Sequence, residues 1–121
     1  MVTEATPRVT SVYDLIGHRF GVTVDYRFGE VTNVDGSDVI VARNDPGRVG
    51  LVMVNLHASQ TINVSPIRPA TAALGIFLGS SGGSMAMNWQ DDLILPALEW
   101  HGFASGSNTD IFIVEIIIST P

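Results

Sequence analysis

The feature that most constrains the fold of this 121-residue chain is its last apolar run, "DIFIVEIIIS", at residues 110–119. Successive side chains of a strand point to opposite faces. One face of this run carries Phe112, Val114, Ile116 and Ile118, and the other carries Ile111, Ile113 and Ile117, interrupted by Glu115. A strand with one face in water shows a polar residue at every second position. This run instead requires cover on both faces.

A second run, "RVGLVMVNL" at residues 48–56, is apolar on both faces in the same way. A two-sheet sandwich has one interior, so a second apolar face needs a covering segment or another subunit. Burial of three isoleucines contributes several kcal/mol at ~25 cal/mol per Å² of apolar area, which favours association. We therefore predict that Ile111, Ile113 and Ile117 form the interface of a closed homo-oligomer, a trimer rather than a dimer. Cover by residues 1–20 is the alternative.

Turn signals punctuate the chain after residue 20 at intervals of roughly ten residues, a spacing typical of all-β sandwiches and small barrels. They include Asp35-Gly36, "NDPG" at 44–47 and the proline-containing "SPIRPA" at 65–70. The segment "VTVDYRF" at 22–28 alternates apolar and polar residues as a half-buried strand does. We predict an all-β fold, an antiparallel, jelly-roll-like β-sandwich, over residues 21–121. Residues 1–20 show no sustained period and are expected to form an irregular arm or one short helix.

The composition excludes several classes of function. Cysteine is absent, which rules out disulfides, thiolate metal sites and thiol catalysis. The six basic residues are all scattered arginines and the formal net charge is −6, so no basic stripe is available to bind nucleic acid. No run reaches the roughly 18 apolar residues of a membrane span, and the start lacks the layout of a secretion signal. We expect a soluble chain that binds neither nucleic acid nor membranes.

Residues 79–83, "GSSGG", match the G-x-S-x-G pattern of serine hydrolases around Ser81. Asp91 or Asp92 and then His101 follow in the chain order of such a triad. The hydrolase elbow, however, needs a strand before it and a helix after it within a parallel sheet. A Walker-type phosphate loop needs a lysine, and the chain has none. We therefore predict a glycine-rich hairpin leading into the next strand, with a hydrolase using Ser81 and a backbone anion site as alternatives.

The histidines and acidic residues form no strong constellation. Those weighed as metal ligands or as an acid and base are His18, His57, His101, Asp91, Asp92, Glu99 and Asp110. The histidines lack the i,i+2 or i,i+4 spacing of local ligands. Asp91-Asp92 has too few neighbouring oxygens for calcium and is expected to cap local N–H groups. Glu99 and Asp110 lack a carboxylate partner, so we predict no catalytic residue, no metal and no cofactor.

The two tryptophans offer a binding alternative. Met85, Met87 and Trp89 alternate with small or polar residues, so we expect Trp89 on the core face of a strand. Large aromatic residues within strands usually pack in the core, but Trp89 and Trp100 could instead stack a sugar ring. If the protein recognises a glycan, Trp100 with His101 is the candidate ligand-facing pair.

At "NDPGRVGLVMVNLHASQTINVSP", followed by "GIFLGSSGGSMAMNWQDDLILPALEWHGFA" and the last "IFIVEI" strand, the chain resembles small β-sandwich proteins of tailed-bacteriophage virions. The resemblance covers residues 44–118 and lies in the order of strands and turns. Such proteins decorate or cement the capsid, or belong to tail and fibre assemblies, often as trimers. The resemblance implies a structural role without catalytic residues.

We therefore expect a non-enzymatic virion structural protein, a capsid decoration or cement protein that stabilises a phage head. Its partners would be copies of itself and the major capsid protein or another virion protein. It would be made in the host cytoplasm and located on the capsid surface or tail. Only 15% of its residues are charged, against roughly 25% in typical soluble domains, as expected if other protein covers part of its surface. The alternatives are a tail- or fibre-associated receptor or glycan-binding module and a small serine hydrolase using Ser81.

Overall fold

The structure is a computed structural model that describes residues 11–71 and 73–119. Its helical elements are α1 (Val12–Phe20), α2 (Trp89–Asp92) and a 3-10 turn (Leu95–Ala97). Its strands are β1 (Thr23–Val34), β2 (Val39–Ala42), β3 (Arg48–Asn55), β4 (Ile62–Ser65), β5 (Ile76–Leu78), β6 (Ser84–Asn88), β7 (Trp100–Ala104) and β8 (Thr109–Ser119). None of the described helices is long and apolar enough to cross a membrane.

The strands form two four-stranded sheets, the first in the order β1-β8-β3-β6 and the second in the order β2-β7-β4-β5. All neighbouring strands run antiparallel. Every connection between consecutive strands, except the β4–β5 hairpin, passes from one sheet to the other. This strand order is that of a jelly roll. The predicted antiparallel, all-β sandwich is confirmed.

Two of the predicted turns carry the chain between the sheets. Asp35-Gly36 separates β1 from β2, and the Asp35 carboxylate accepts a hydrogen bond from the Ser37 amide (2.9 Å). "NDPG" separates β2 from β3, and Asp45 accepts a hydrogen bond from the Gly47 amide (3.0 Å). A carboxylate that bonds the backbone two residues on stabilises a tight reversal. These turns therefore build the two layers of the sandwich.

One contiguous core lies between the two sheets. Its largest contributions come from Leu51, Met53, Ile111 and Ile113 of the first sheet and from Ile62, Val64, Leu78 and Trp100 of the second. Each of these side chains alternates with an outward-facing neighbour along its strand. The core therefore uses one face of each sheet, and the opposite faces are left to other contacts.

The last strand buries the face that was predicted to lie outside. Ile111 and Ile113 are 0% and 3% exposed, so the prediction that these two residues form an oligomer interface is wrong. Ile117, on the same face beyond Glu115, is half-buried. Phe112, Val114 and Ile116, which alternate with this face, point away from the core. The physical reason is the pairing of Glu115, which allows a charged residue to lie on the inner face.

We expect Ile113→Ala to lower the free energy of unfolding by about 2–5 kcal/mol, because truncating a buried isoleucine loses transfer free energy and leaves a cavity. The matched control is Ile118→Ala on the same strand, where the side chain is 39% exposed and the loss should be clearly smaller. Urea unfolding followed by tryptophan fluorescence measures both. Equal losses would contradict the assignment of the two faces.

Candidate assembly surface

Two opposite charges meet on the inner side of the first sheet. Arg48, at the start of β3, has a side chain that is 1% exposed, and its guanidinium lies 2.6 Å from a carboxylate oxygen of Glu115. It also donates to the carbonyl oxygens of Pro96 (2.6 Å) and Leu98 (2.7 Å). A buried charge is tolerated when it is paired and fully hydrogen-bonded. The Arg48–Glu115 pair therefore closes the core at this end of β3.

Arg27 and Asp45 extend the pair toward the surface. Arg27 donates two hydrogen bonds to Glu115 (3.0 and 2.9 Å) and one to Asp45 (2.9 Å). Hydrogen bonding from Arg27 is the largest influence on the pKa of Glu115 and lowers it, burial opposes this, and the hydrogen bond from Arg48 lowers it further. The pKa of Asp45 is lowered chiefly by its own bond from Arg27. Both carboxylates are held ionised.

This charge network decides which face of β1 points outward. Arg27 lies directly opposite Glu115 in the β1–β8 register, so the two side chains share a face of the sheet. Alternation then places Tyr26 and Phe28 on the other face, where they are 50% and 65% exposed. The apolar half of the alternation in "VTVDYRF" therefore marks the outside of the sandwich.

The outer face of the first sheet is a continuous apolar surface. It is formed by Val24, Tyr26, Phe28, Val52, Val54, Phe112, Val114, Ile116 and Ile118. The ring of Phe28 stacks on those of Tyr26 and Phe112, with centroids 6.2 and 6.3 Å apart. We refer to these nine residues as the outer face. Tyr26, Phe28 and Ile118 are exposed and the other six residues are half-buried, which makes the outer face the candidate interaction surface.

At one end of the outer face, α1 and α2 flank an apolar groove of about 570 Å³. Phe20 of α1 meets Trp89 of α2 edge to face, with ring centroids 5.9 Å apart. The prediction that Trp89 faces the core of a strand is wrong, because β6 ends at Asn88 and Trp89 begins α2. Met87, predicted on the core face, is buried. Helix α1 therefore covers only part of the outer face.

The "GSSGG" segment carries the chain from β5 in the second sheet to β6 in the first, so the hairpin predicted there is wrong. The buried Asn55 organises the turn by donating to the carbonyl oxygens of Leu78 (3.2 Å) and Gly79 (3.1 Å). A side chain at Gly83 would place its Cβ 2.2 Å from the Gly79 oxygen. The segment is therefore a crossover turn that glycine makes sterically possible.

The residues of the hydrolase alternative are not joined in a catalytic line. The Ser81 hydroxyl donates to the Ala58 carbonyl (3.0 Å). The nearby His57 uses its Nδ1 to accept backbone N–H groups of Ser59 (3.1 Å) and Gln60 (3.0 Å). In the described ranges no hydrogen bond links Ser81 to His101. Ser81 and His57 therefore each stabilise a turn through hydrogen bonds to backbone groups.

His101 and Trp100 are both 1% exposed, so the prediction that they face a ligand is wrong. The Trp100 indole donates to the Leu95 carbonyl (2.9 Å). His101 Nε2 lies 3.0 Å from Glu99, and its Nδ1 lies 3.1 Å from Asp38 without the alignment of a hydrogen bond. Burial raises the pKa of Asp38, but the Ala70 amide and the His101 charge outweigh it and lower the pKa overall. The contact between His101 and Asp38 therefore joins β7 to the segment before β2.

The remaining predicted residues serve local structure. The Asp92 carboxylate accepts the Asn88 amide (3.0 Å), as predicted, whereas the Asp91 amide donates to the Asn88 side chain (3.0 Å), which is the N-cap of α2. His18 lies exposed in the last turn of α1, and Asp110 lies in β8. Across residues 11–71 and 73–119, no three histidine or acidic side chains form a group that could hold a metal ion.

Sequence reasoning missed the residues that organise the site. The sequence pattern predicts Glu115 only as an interruption of an apolar run, and it predicts no role for Arg48 or Arg27. A signal was present, because the run at 48–56 carries a positive charge at Arg48 and the run at 110–119 carries a negative charge in its interior at Glu115. Their pairing would have assigned the inner faces of β3 and β8 together.

No family model and no curated protein matches the chain. Its fold is similar to a solved structure described by the words "Bacillus endospore appendages form a novel family of disulfide-linked pili". The TM-score is 0.51 at 13% sequence identity, and the alignment covers 83% of this chain and 91% of that chain. At this identity the likeness concerns the fold alone.

We expect Arg48→Ala to lower the free energy of unfolding by about 3–5 kcal/mol, because its loss leaves the Pro96 and Leu98 carbonyl groups without their donor and Glu115 without its buried partner. The matched control is Arg68→Ala. Its side chain is 67% exposed and lies 3.5 Å from Asp38, so the change should stay within about 0.5 kcal/mol. Chemical denaturation measures both, and equal effects would argue against a buried pair.

Acidification should destabilise the wild type more than Glu115→Gln. The pKa of Glu115 in the folded protein lies below the ordinary glutamate value of about 4.5. Its contribution to stability is therefore complete above that value and is lost as the pH falls below it. The glutamine variant lacks this group, so its free energy of unfolding should fall less between about pH 7 and pH 3. Parallel curves for the two proteins would contradict the assignment.

Proposed function

We propose that this protein is a non-enzymatic structural subunit that assembles with copies of itself, and that the outer face is its assembly surface. The observation that carries the proposal is the exposure of Tyr26 and Phe28, at 50% and 65%, in the middle of a continuous apolar surface. Soluble monomers rarely expose apolar patches larger than a few hundred Å². An assembled partner would remove this surface from water.

The energetics of the outer face favour association. Each aromatic side chain can bury roughly 150–250 Å². At ~25 cal/mol per Å², burial of the Tyr26, Phe28 and Phe112 rings contributes several kcal/mol for each copy. The rings already contact one another, so little side-chain freedom is lost when a partner covers them. We refer to these three side chains as the aromatic row. Because the row is ordered before binding, it is suited to a protein interface.

The kind of assembly follows from two further considerations. The similar solved structure belongs to a family described as disulfide-linked pili, which supports self-assembly as a use of this fold. This chain has no cysteine, so disulfides cannot link its copies. We therefore propose non-covalent contacts between copies, arranged as a closed trimer.

The biological setting that we propose is the one expected from the sequence, a decoration or cement protein on a phage head. Its second partner would be the major capsid protein or another virion protein. Small contacts that are repeated by symmetry over a shell add up to a large stabilisation. Such a role requires no catalytic activity. The resemblance to virion β-sandwich proteins supports this setting, and the low content of charged residues agrees with a chain that other protein covers.

The test of the proposed function is the solution mass of the purified protein by multi-angle light scattering, for the wild type and for Phe28→Glu. We expect an oligomer for the wild type and a folded monomer for the variant, because a charge in the aromatic row would have to be desolvated on assembly. Phe77→Glu is the matched control, since Phe77 is 64% exposed on the edge strand of the second sheet. That variant should remain an oligomer.

Two outcomes would contradict the proposal. A monomeric wild type at all accessible concentrations would remove the assembly role. Equal disruption by Phe28→Glu and Phe77→Glu would remove the outer face as the surface responsible. Circular dichroism of each variant separates a loss of assembly from a loss of folding.

A further inference from the structure

An exposed apolar tip follows helix α2. Leu93 and Ile94 are 76% and 68% exposed, although they are among the largest aliphatic side chains of the chain. The tip, defined as these two residues, lies between α2 and the 3-10 turn. No charged residue lies within it. Two adjacent aliphatic side chains held this far out of the protein need an explanation beyond the core.

The backbone holds the tip in an unusual conformation. Leu93 has φ 58° and ψ −118°, in a region that L-residues with a large side chain rarely adopt. The conformation is fixed on both sides, since the Leu93 amide donates to the Trp89 carbonyl (3.2 Å) and the Ala97 amide to the Ile94 carbonyl (2.9 Å). Strain of this kind persists only where the surroundings impose it. The tip is therefore presented by the fold.

The segment that follows the tip is anchored to the core. The Trp100 indole donates to the Leu95 carbonyl (2.9 Å), and Arg48 donates to the Pro96 carbonyl (2.6 Å). Both donors are buried side chains. The α2 side is held by the capping bonds between Asn88 and the two following aspartates. A tip with rigid supports loses little conformational entropy when it binds.

The groove beside α1 has matching chemistry. Its volume is about 570 Å³, and its lining has no charged side chain. The lining includes Ile16, Phe20, Val24, Trp89, Ile116 and Ile118. A pocket of this size and polarity accepts a few aliphatic side chains. Because the Leu93 and Ile94 side chains face solvent, they do not fill the groove of their own chain.

We propose that Leu93 and Ile94 of one copy dock into the groove of a second copy. This inference rests on the proposed function, and it names the contact by which the copies recognise each other. The occupant follows from the chain itself, which presents an apolar tip and an apolar groove that are separate in one copy. A tip in the groove of the next copy is a head-to-tail contact, and such contacts close into a ring when the rotation between successive copies closes.

The tip and the groove alone bury less area than a specific interface needs. Each buried aliphatic side chain removes on the order of 100 Å² of apolar surface from water. Two such side chains and the groove wall that they cover give about 400 Å² between two copies, less than the roughly 1,000 Å² of a specific interface. The groove is continuous with the outer face through Val24, Ile116 and Ile118. The tip therefore sets the register of a contact whose remaining area comes from the outer face.

The absence of cysteine permits a direct test by disulfide trapping. Ile94→Cys and Ile118→Cys are purified as two separate single variants and mixed under mild oxidation, so that any bond between them joins two copies. We expect the mixed disulfide to form at least about tenfold faster than a disulfide between two thiols that meet only by random collision. The reason is that docking holds the two thiols at a raised effective concentration. The control mixture pairs Ile94→Cys with Phe77→Cys, which lies exposed on the second sheet.

The outcomes separate the contact from the proposed function. Rapid trapping of Ile94→Cys with Ile118→Cys, but not with Phe77→Cys, supports the contact. An oligomeric wild type whose two mixtures react at equal rates overturns the contact and leaves the outer face as the assembly surface. A wild type that is monomeric overturns both.

A second readout excludes cover of the groove by its own chain. A soluble thiol reagent should modify Ile118→Cys slowly at high protein concentration and at least about tenfold faster after dilution below the assembly range. Protection that does not change on dilution would show that the groove is filled within one copy, which overturns the inference. The same measurement on Phe77→Cys corrects for the reactivity of an exposed thiol.

Discussion

Arg48 is a cation buried inside a small sandwich, and much of the structure depends on how its charge is paired. Its guanidinium bonds Glu115 and two carbonyl groups of the segment before β7. That arrangement ties β3 to β8 within the first sheet and also ties the first sheet to the chain that enters the second. Loss of Glu115 would leave the Arg48 charge unpaired in the interior. The free-energy cost of an unpaired buried charge is much larger than the stabilisation that an exposed ion pair contributes.

The same pairing determines what the protein shows to its surroundings. With Glu115 on the inner face, Ile111 and Ile113 lie in the core and the aromatic row lies outside. Arg27, which completes the pairing of Glu115 from β1, fixes the same alternation in its own strand. A core contact thus selects the outer face, because side chains in a strand alternate and one position determines the rest.

The proposed assembly by the outer face is a physical alternative to covalent linkage. The similar solved structure is described as a family of disulfide-linked pili, whereas this chain has no cysteine, so the assembly that we propose for it uses buried apolar area and the fit of rigid parts. In that proposed assembly, the rings of Tyr26, Phe28 and Phe112 supply area, and the tip at Leu93 and Ile94 with its groove supplies shape. Both are held by hydrogen bonds and ring contacts before any partner arrives, which is the condition under which a modest area gives specific binding.

The sequence by itself determined the fold class, because the strand period, the turn residues and the two-sided apolar runs are local properties of the chain. It also indicated that an apolar face would remain outside the core. Only the tertiary structure decided which face that is, because the answer depends on Arg48 and Glu115, two residues 67 positions apart whose attraction exists only after β3 and β8 pair. The burial of Trp100 and His101 and the placement of Trp89 beside Phe20 were decided in the same way, since burial is set by what packs against a residue and not by the residue alone.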